Sequence, residues 1–299
     1  MVDYLRLYTL EDVAEMLWAE GPQLALLAGG TDLMVRRRDW SEIKLLLDIK
    51  RVQELKGIGF DEQGRIRVGA GETHQDIADH PLIVKRAHLL ALACGAVGSF
   101  QIRNLGTIGG NLANASPAAD TVPALFCLGA RVVLVGRERR REVAVEEFFI
   151  GPGKTVRESD ELIESVRFQP SSGRMAVFFK KAGQRRGMCC SKASVAFSAR
   201  RHSDGRLTSV RIALGAVAPT VVPAREAAAE LENKVLVPEL IERAARLCEQ
   251  AARPIDDIRS TIDYRRQVVG ALLKMGLLEI LDHMRRMQKR AAELRRRRR

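Results

Sequence analysis

Residues 24–35 read Leu-Ala-Leu-Leu-Ala-Gly-Gly-Thr-Asp-Leu-Met-Val, and residues 104–120 read Asn-Leu-Gly-Thr-Ile-Gly-Gly-Asn-Leu-Ala-Asn-Ala-Ser-Pro-Ala-Ala-Asp. The first is an apolar run of strand length broken at Gly29-Gly30, with Thr31-Asp32 placed to cap a following helix. Both stretches read as a strand joined to a tight Gly-Gly turn with hydroxyl and amide neighbours. Glycine admits positive φ and lets the backbone approach a ligand with no Cβ in the way. Successive N–H groups in such turns form a concavity for anionic oxygens, and a helix N-terminus adds partial positive charge. Two such turns from separate parts of one domain are suited to hold a pyrophosphate between them. Thr31, Thr107 and Asn111 would add side-chain hydrogen bonds to phosphate or ribityl oxygens.

Other phosphate-binding patterns fail. Neither stretch is GxGxxG, so a Rossmann site is not indicated. Gly151-Pro152-Gly153-Lys154-Thr155 invites a P-loop reading, but GxxxxGK[ST] needs glycine where Phe148 stands.

Outward from these motifs, residues 10–19 have the period of an amphipathic helix behind a Thr9 cap, with Val13, Met16 and Leu17 on the apolar face. Strands are expected at 44–49, 66–70 and 131–135, with a turn at 61–64. Residues 81–97 and 121–128 read as helices. Strand-like segments follow at 161–168, 175–179, 193–199 and 210–217, with a turn at 203–205. After Pro223 the texture becomes Ala/Leu/Arg-rich and helical in period, over 225–231, 238–251 and 264–287. Pro-Ser-Ser-Gly at 170–173 interrupts the chain, so a first domain over 1–172 and a smaller one over 173–285 are expected. The fold class is α+β, with antiparallel strands and then helices in the second domain.

Composition bounds the function. The chain has 299 residues, 46% hydrophobic and 29% charged, which suits a globular protein with a sizeable core. Its apolar runs are far shorter than the roughly 20 residues of a bilayer span. The first residues carry acids and no basic–apolar–small arrangement of a secretion signal. The five cysteines lack CxxC or other metal-ligand spacing, which argues against a disulfide framework, a metal site or an iron–sulfur cluster in this chain and fits a reducing cytoplasm. The five histidines show no paired spacing for a metal or a triad. Formal charge is +12, of which +8 falls in the last fifteen residues and +4 in the other 284. The basic segment 286–299 reads as a solvated, open tail.

Taken together, AGGTDL at 28–33 and TIGGNLANASPAAD at 107–120 resemble the flavin-binding signatures of the FAD subunit of molybdenum hydroxylases, the xanthine, carbon monoxide and nicotinate dehydrogenase group. The Arg-Asn-Leu-Gly before the second motif, FFIGPGKT at 148–155, KAGQRR at 181–186 and the helical C-terminus are similar too, so the resemblance covers residues 1–285. It implies a PCMH/VAO-type FAD-binding domain followed by a C-terminal domain of the CO-dehydrogenase-flavoprotein type. It also implies non-covalent FAD, wrapped by Leu26, Leu27, Ala28, Gly29, Gly30, Thr31, Asp32 and Leu33 on one side. On the other side lie Thr107, Ile108, Gly109, Gly110 and Asn111. Asp120, Ile163 and Lys181 match positions that contact the cofactor in relatives. Asp120 is equally placed as an N-cap for the helix at 121–128, and Lys181 is a candidate to stabilise an anionic reduced ring. Where many relatives carry an acidic pair after the two arginines, this chain has Gly187-Met188-Cys189-Cys190-Ser191; Cys189 and Cys190 read as strand residues, one facing the core.

By that resemblance the chain is an electron-transfer subunit. A large subunit would hold molybdopterin and perform substrate chemistry, and a small subunit with 2Fe-2S clusters would pass electrons to FAD. The external acceptor would be NAD, a quinone or oxygen. The chain itself needs no catalytic acid, base or nucleophile, and none is indicated. Two rival readings are a stand-alone FAD-dependent oxidoreductase of the same flavin-binding fold and a basic nucleic-acid-binding protein. Against the second, aromatics are 5% and the basic excess is terminal rather than spread over a face, so no specific nucleic acid is expected.

Overall fold

The computed structural model describes residues 2–35, 37–183, 190–255 and 260–297. It begins with a three-stranded parallel sheet in the order β1-β3-β2, built from β1 (Asp3–Arg6), β2 (Leu24–Leu27) and β3 (Leu45–Asp48). Helix α1 (Leu10–Glu20) crosses between β1 and β2 and buries Val13, Ala14 and Leu17. As expected, Thr9 caps it, its hydroxyl accepting from the Asp12 amide at 3.2 Å. Parallel strands require such crossovers, because a hairpin cannot join them.

A five-stranded antiparallel sheet follows, in the order β4-β5-β10-β6-β7. Its strands are β4 (Ile58–Phe60), β5 (Ile66–Gly69), β6 (Arg131–Val135), β7 (Arg140–Ala144) and, beyond the hairpin β8–β9 (Phe149–Gly151 and Lys154–Thr155), the central β10 (Leu162–Phe168). Between β5 and β6 the chain inserts six short helices: α2 (His74–Asp79), α3 (Pro81–Arg86), α4 (His88–Gly95), α5 (Phe100–Leu105), α6 (Ile108–Asn114) and α7 (Thr121–Leu128). A further short helix, α8 (Val145–Phe148), follows β7.

The rest of the chain builds a second antiparallel sheet from β11 (Met175–Ala182), β12 (Ala193–Arg201), β13 (Arg206–Gly215) and β14 (Val222–Pro223), with β15 (Lys234–Val235) also on β13. Helices α9 (Arg225–Leu231), α10 (Pro238–Ala251) and α11 (Ile262–Arg297) complete it. In β12 the alternation is plain: Val195, Phe197 and Ala199 join the core shared with these helices, whereas Ala196 joins the core of the first lobe. Helices α4 and α7 pack on that other face. A sheet covered on both faces reads as a nearly continuous apolar strand, as Ala193–Ala199 is, with every residue buried.

The α+β class and the order of elements match the expectation, with instructive departures. Residues 81–97 form two helices rather than one, because Ala87 leaves the helical region at φ −146°, ψ 43°. No α-helix follows Thr31-Asp32, which lie in a turn. The second Gly-Gly pair does not follow a strand: it occupies the first turn of α6, behind α5. Helix α11 continues to Arg297, into the segment for which like charges suggest an open chain; Ala, Leu, Lys and Arg are all good helix formers. Cys190 is exposed and outside any strand, while Cys189, Arg185 and Arg186 lie outside the described residues.

Candidate functional site

The two glycine stretches meet. Gly29 follows the end of β2, where its backbone lies against the end of α5: a Cβ there would sit 2.0 Å from the Leu105 carbonyl oxygen. Gly30, at φ +71°, turns the chain away. Two residues beyond Leu105, Thr107 caps α6, its hydroxyl accepting from the Gly110 amide at 3.1 Å. The first turn of α6 is seated on the end of β5, with the Gly109 amide donating to Ala70 O at 2.8 Å and a Cβ on Gly109 reaching within 2.6 Å of the Ala70 Cβ. Gly29 and Gly109 are therefore glycine because backbone packs on backbone. Gly110 faces away from these contacts.

A cleft runs through this junction in two chambers, of about 670 and about 300 Å³. Leu26, Ala28, Gly29, Thr107, Gly110 and Ala113 line both. The larger chamber is walled by Leu55, Leu105, Leu162 and Ile163 and carries Lys50, Lys56 and Arg157. The smaller is walled by Gly30, Thr31, Leu33, Asn111 and Asn114, with Asp32 and His74. The larger chamber thus has three cationic side chains and no carboxylate in its lining, whereas the smaller has one carboxylate and no lysine or arginine.

Twelve of the sixteen residues singled out from sequence line this junction. Leu27 and Ile108 do not line it; Ile108 is fully buried in the core. Asp120 and Lys181 lie elsewhere too, and they lie together. The Lys181 ammonium donates to Asp120 Oδ2 and to Ala96 O, both at 2.6 Å, and the Ser191 hydroxyl donates to Asp120 Oδ1 at 2.5 Å. Burial pushes the Asp120 carboxyl up from its ordinary value, with Lys181 and Ser191 pulling the other way. Asp120 does occupy the N-cap position of α7, but its side chain makes no capping bond. The polar groups of the second motif are also partly engaged within the protein, since Asn111 Oδ1 accepts from the Thr121 hydroxyl at 2.6 Å.

Four lining residues carry no signal in the sequence. Lys50, Lys56, His74 and Arg157 come from separate segments, and no spacing links them. His74 is buried; burial, with Arg103 nearby, lowers its pKa to about 4, so its imidazole is neutral near pH 7. The Lys56 ammonium donates to Gly71 O. Arg157 is half-buried, and its Nη1 donates to the carbonyls of Glu158 and Glu161 at 3.0 and 2.6 Å. Among the described residues no group of three or more His, Cys, Asp or Glu side chains is arranged to hold a metal ion. No helix among them is long and apolar enough to cross a membrane.

Chemically, the arrangement offers backbone donors and the cap of α6 at a narrow waist, with a ring-sized space on either side. FAD consists of two ring systems joined through a ribityl chain and a pyrophosphate, so the residues present fit it: one ring on each side and the phosphates at the glycine waist.

Comparison with known proteins points the same way. The family described as the FAD binding domain in molybdopterin dehydrogenase matches residues 1–170, and the CO dehydrogenase flavoprotein C-terminal domain matches residues 178–280. The nicotinate dehydrogenase FAD-subunit of Eubacterium barkeri is 30% identical over 264 residues, 87% of this chain and 89% of that one. The carbon monoxide dehydrogenase medium chain of Hydrogenophaga pseudoflava is 28% identical over 267 residues, covering 89% and 92%. A solved structure of carbon monoxide dehydrogenase from Hydrogenophaga pseudoflava superposes with a TM-score of 0.87 at 30% identity, over 92% of this chain and 96% of that chain.

Proposed function

The chain belongs to the family of FAD-binding subunits of molybdopterin dehydrogenases, and we propose that it works as the electron-transfer subunit of such an assembly. It is an oxidoreductase flavoprotein subunit whose cofactor is FAD. In this reading, 2Fe-2S clusters on a small subunit supply the electrons, a large subunit holds molybdopterin and performs the substrate chemistry, and an external acceptor (NAD, a quinone or oxygen) takes the electrons away. The term "medium chain" in the name of its carbon monoxide dehydrogenase relative supports an assembly with one larger and one smaller partner. Residues 1–172 are read as the FAD-binding unit, 173–285 as a C-terminal α+β unit of the CO-dehydrogenase-flavoprotein type, and 286–299 as a basic extension.

The observation that carries the reading is the meeting of Gly29 and Leu105–Gly106, which brings both glycine motifs to one waist between two chambers. Bound FAD supplies the chemistry of exchanging single electrons with one partner and pairs with another. The chain's residues hold and shape it. The backbone amides of Gly29 and Gly30 would meet the phosphates, and Thr31, Asp32 and Asn111 are placed for hydrogen bonds in the smaller chamber. Leu26 and Ile163 supply apolar walls to the larger one. Asp120 and Lys181 support the cleft from behind, through Thr121 and Asn111.

The test is an absorbance spectrum of the purified chain, before and after incubation with FAD, followed by acid release of the chromophore. Flavin bands near ~450 nm with FAD released support the reading. A folded chain that stays colourless and takes up no FAD overturns it.

A further inference from the structure

One polar side chain in the cleft wall is left unpaired by the fold. His74 is buried, at 2% exposure, and lines the smaller chamber. Its Nδ1 is sealed from solvent with no hydrogen-bond partner, and its Nε2 makes no hydrogen bond among the described residues either. Buried polar side chains nearly always find a partner, and one left without costs about 1–3 kcal/mol. The neighbouring Arg103 does not serve as one: its Nε donates to Gln75 Oε1 at 2.9 Å and its Nη1 to the Val97 carbonyl at 3.2 Å.

Backbone contacts set where the ring lies. The His74 amide donates to Gly106 O at 3.0 Å. A Cβ on Gly106 would stand 3.4 Å from His74 Cδ2 and 3.4 Å from the Thr31 hydroxyl oxygen. The ring edge that carries Cδ2 and Nε2 therefore borders the waist, where Gly29 packs on Leu105 and Gly106. Burial, with Arg103 nearby, keeps the imidazole uncharged near pH 7, and an uncharged imidazole has one N–H to donate. With Nδ1 sealed off, Nε2 is the nitrogen that can meet a ligand. The lining of the smaller chamber has no lysine or arginine, so a ligand oxygen there depends on uncharged donors.

This inference rests on the FAD reading above. We propose that His74 is a further cofactor-binding residue, its Nε2–H donating to an oxygen of the pyrophosphate–ribityl segment where FAD crosses the waist. The bond exists only with the cofactor in place, so the unliganded fold carries the cost of the unpaired ring and binding removes it. In a desolvated wall such a bond is stronger than its equivalent in water.

The test uses the full chain as wild type, His74→Gln and His74→Leu, with FAD affinity from a fluorescence titration and melting temperatures taken with and without FAD. Glutamine keeps an amide N–H near the position of Nε2; leucine fills the space with no donor. Removing an unpartnered buried group costs the FAD-free fold little, so His74→Leu is expected to keep or raise its melting temperature. The same variant is expected to bind FAD about tenfold more weakly, and His74→Gln to restore most of that loss. Equal FAD affinity in wild type and His74→Leu overturns the proposal. If His74→Leu does not fold, a wild-type measurement decides. With 15N-labelled histidine, the His74 signal among the five histidines is identified by its loss in His74→Gln. Saturation with FAD is expected to move its ring N–H proton downfield. A signal that stays in place, or moves upfield as stacking against a ring would cause, overturns the proposal. Failure of the wild-type chain to bind FAD would instead sink the functional reading on which the proposal stands.

Discussion

Lys181 in β11, half-buried, and the buried Asp120 at the start of α7 form an ion pair, with Nζ 2.6 Å from Oδ2, that ties the C-terminal sheet to the helical insertion of the first lobe. Removing one partner of a buried pair leaves the other charge without compensation, typically at a cost of about 3–5 kcal/mol. Lys181→Met is therefore expected to lower unfolding stability by that order. Combining it with Asp120→Asn should recover part of the loss, because the stranded carboxylate is gone. Urea unfolding of the two single variants and the double variant checks this; additive losses would show that the pair is not coupled.

The adjacent glycines of the second motif should behave differently. Gly109→Ala would drive a methyl into Ala70, and overpacking of this kind costs about 1–3 kcal/mol. Gly110→Ala meets only the Thr107 hydroxyl, at 3.0 Å, and gains up to about 1 kcal/mol of helix propensity. Its methyl sits at the waist that lines both chambers. The expected outcome is a lower melting temperature for Gly109→Ala and an unaltered or slightly higher one for Gly110→Ala, with FAD affinity at least tenfold weaker in the latter. Thermal scans and a flavin fluorescence titration separate the two effects.

His74 confers a pH dependence on stability. Its pKa in the fold is about 4, depressed by burial, against about 6.5 when unfolded. Unfolding therefore takes up a proton between these values, and stability falls as pH drops through that window. The full effect is on the order of 3 kcal/mol. His74→Gln should flatten the stability profile between about pH 6.5 and 4. Below that window, carboxylates held low by arginines, such as Glu142 beside Arg65, add their own loss. A slope between pH 6.5 and 4 that persists in the variant would rule out His74 as its source.

Deleting residues 295–299 should leave both fold and cofactor untouched. Among the described side chains of α11, the last to be buried are Leu281 and Met284, before the arginine run. The expected result is an unchanged melting temperature and FAD content, with weaker retention on heparin. A marked loss of stability would mean that the terminal arginines pack against the body.

Much of this protein is legible in its sequence because the signals are local. Helix α1 follows from Thr9 and the apolar period behind it, and the boundaries of α9 and α10 are those the periodicity marks. Strands β2, β3, β5, β6, β10, β11 and β12 follow from short apolar runs between turns, whereas the edge strands β1, β4 and β7 are not marked by one. The helix at 81–97 splits because a bend at Ala87 packs both halves, a tertiary gain that periodicity does not carry. The second Gly-Gly pair looks like a turn after a strand, since two glycines disfavour helix; in the fold they open one, because the end of β5 leaves no room there for a side chain.

The sequence by itself determined the element order, the two glycine motifs and the family they mark, since these depend on residues near one another in the chain. Only the tertiary structure decided that Gly29 lies against Leu105, that Asp120 and Lys181 neutralise each other outside the cleft, and that Lys50, Lys56 and Arg157 share one chamber. Electrostatics in a cleft depends on distance and burial. Side chains brought together from loops 100 residues apart acquire both only when the sheets and helices have packed.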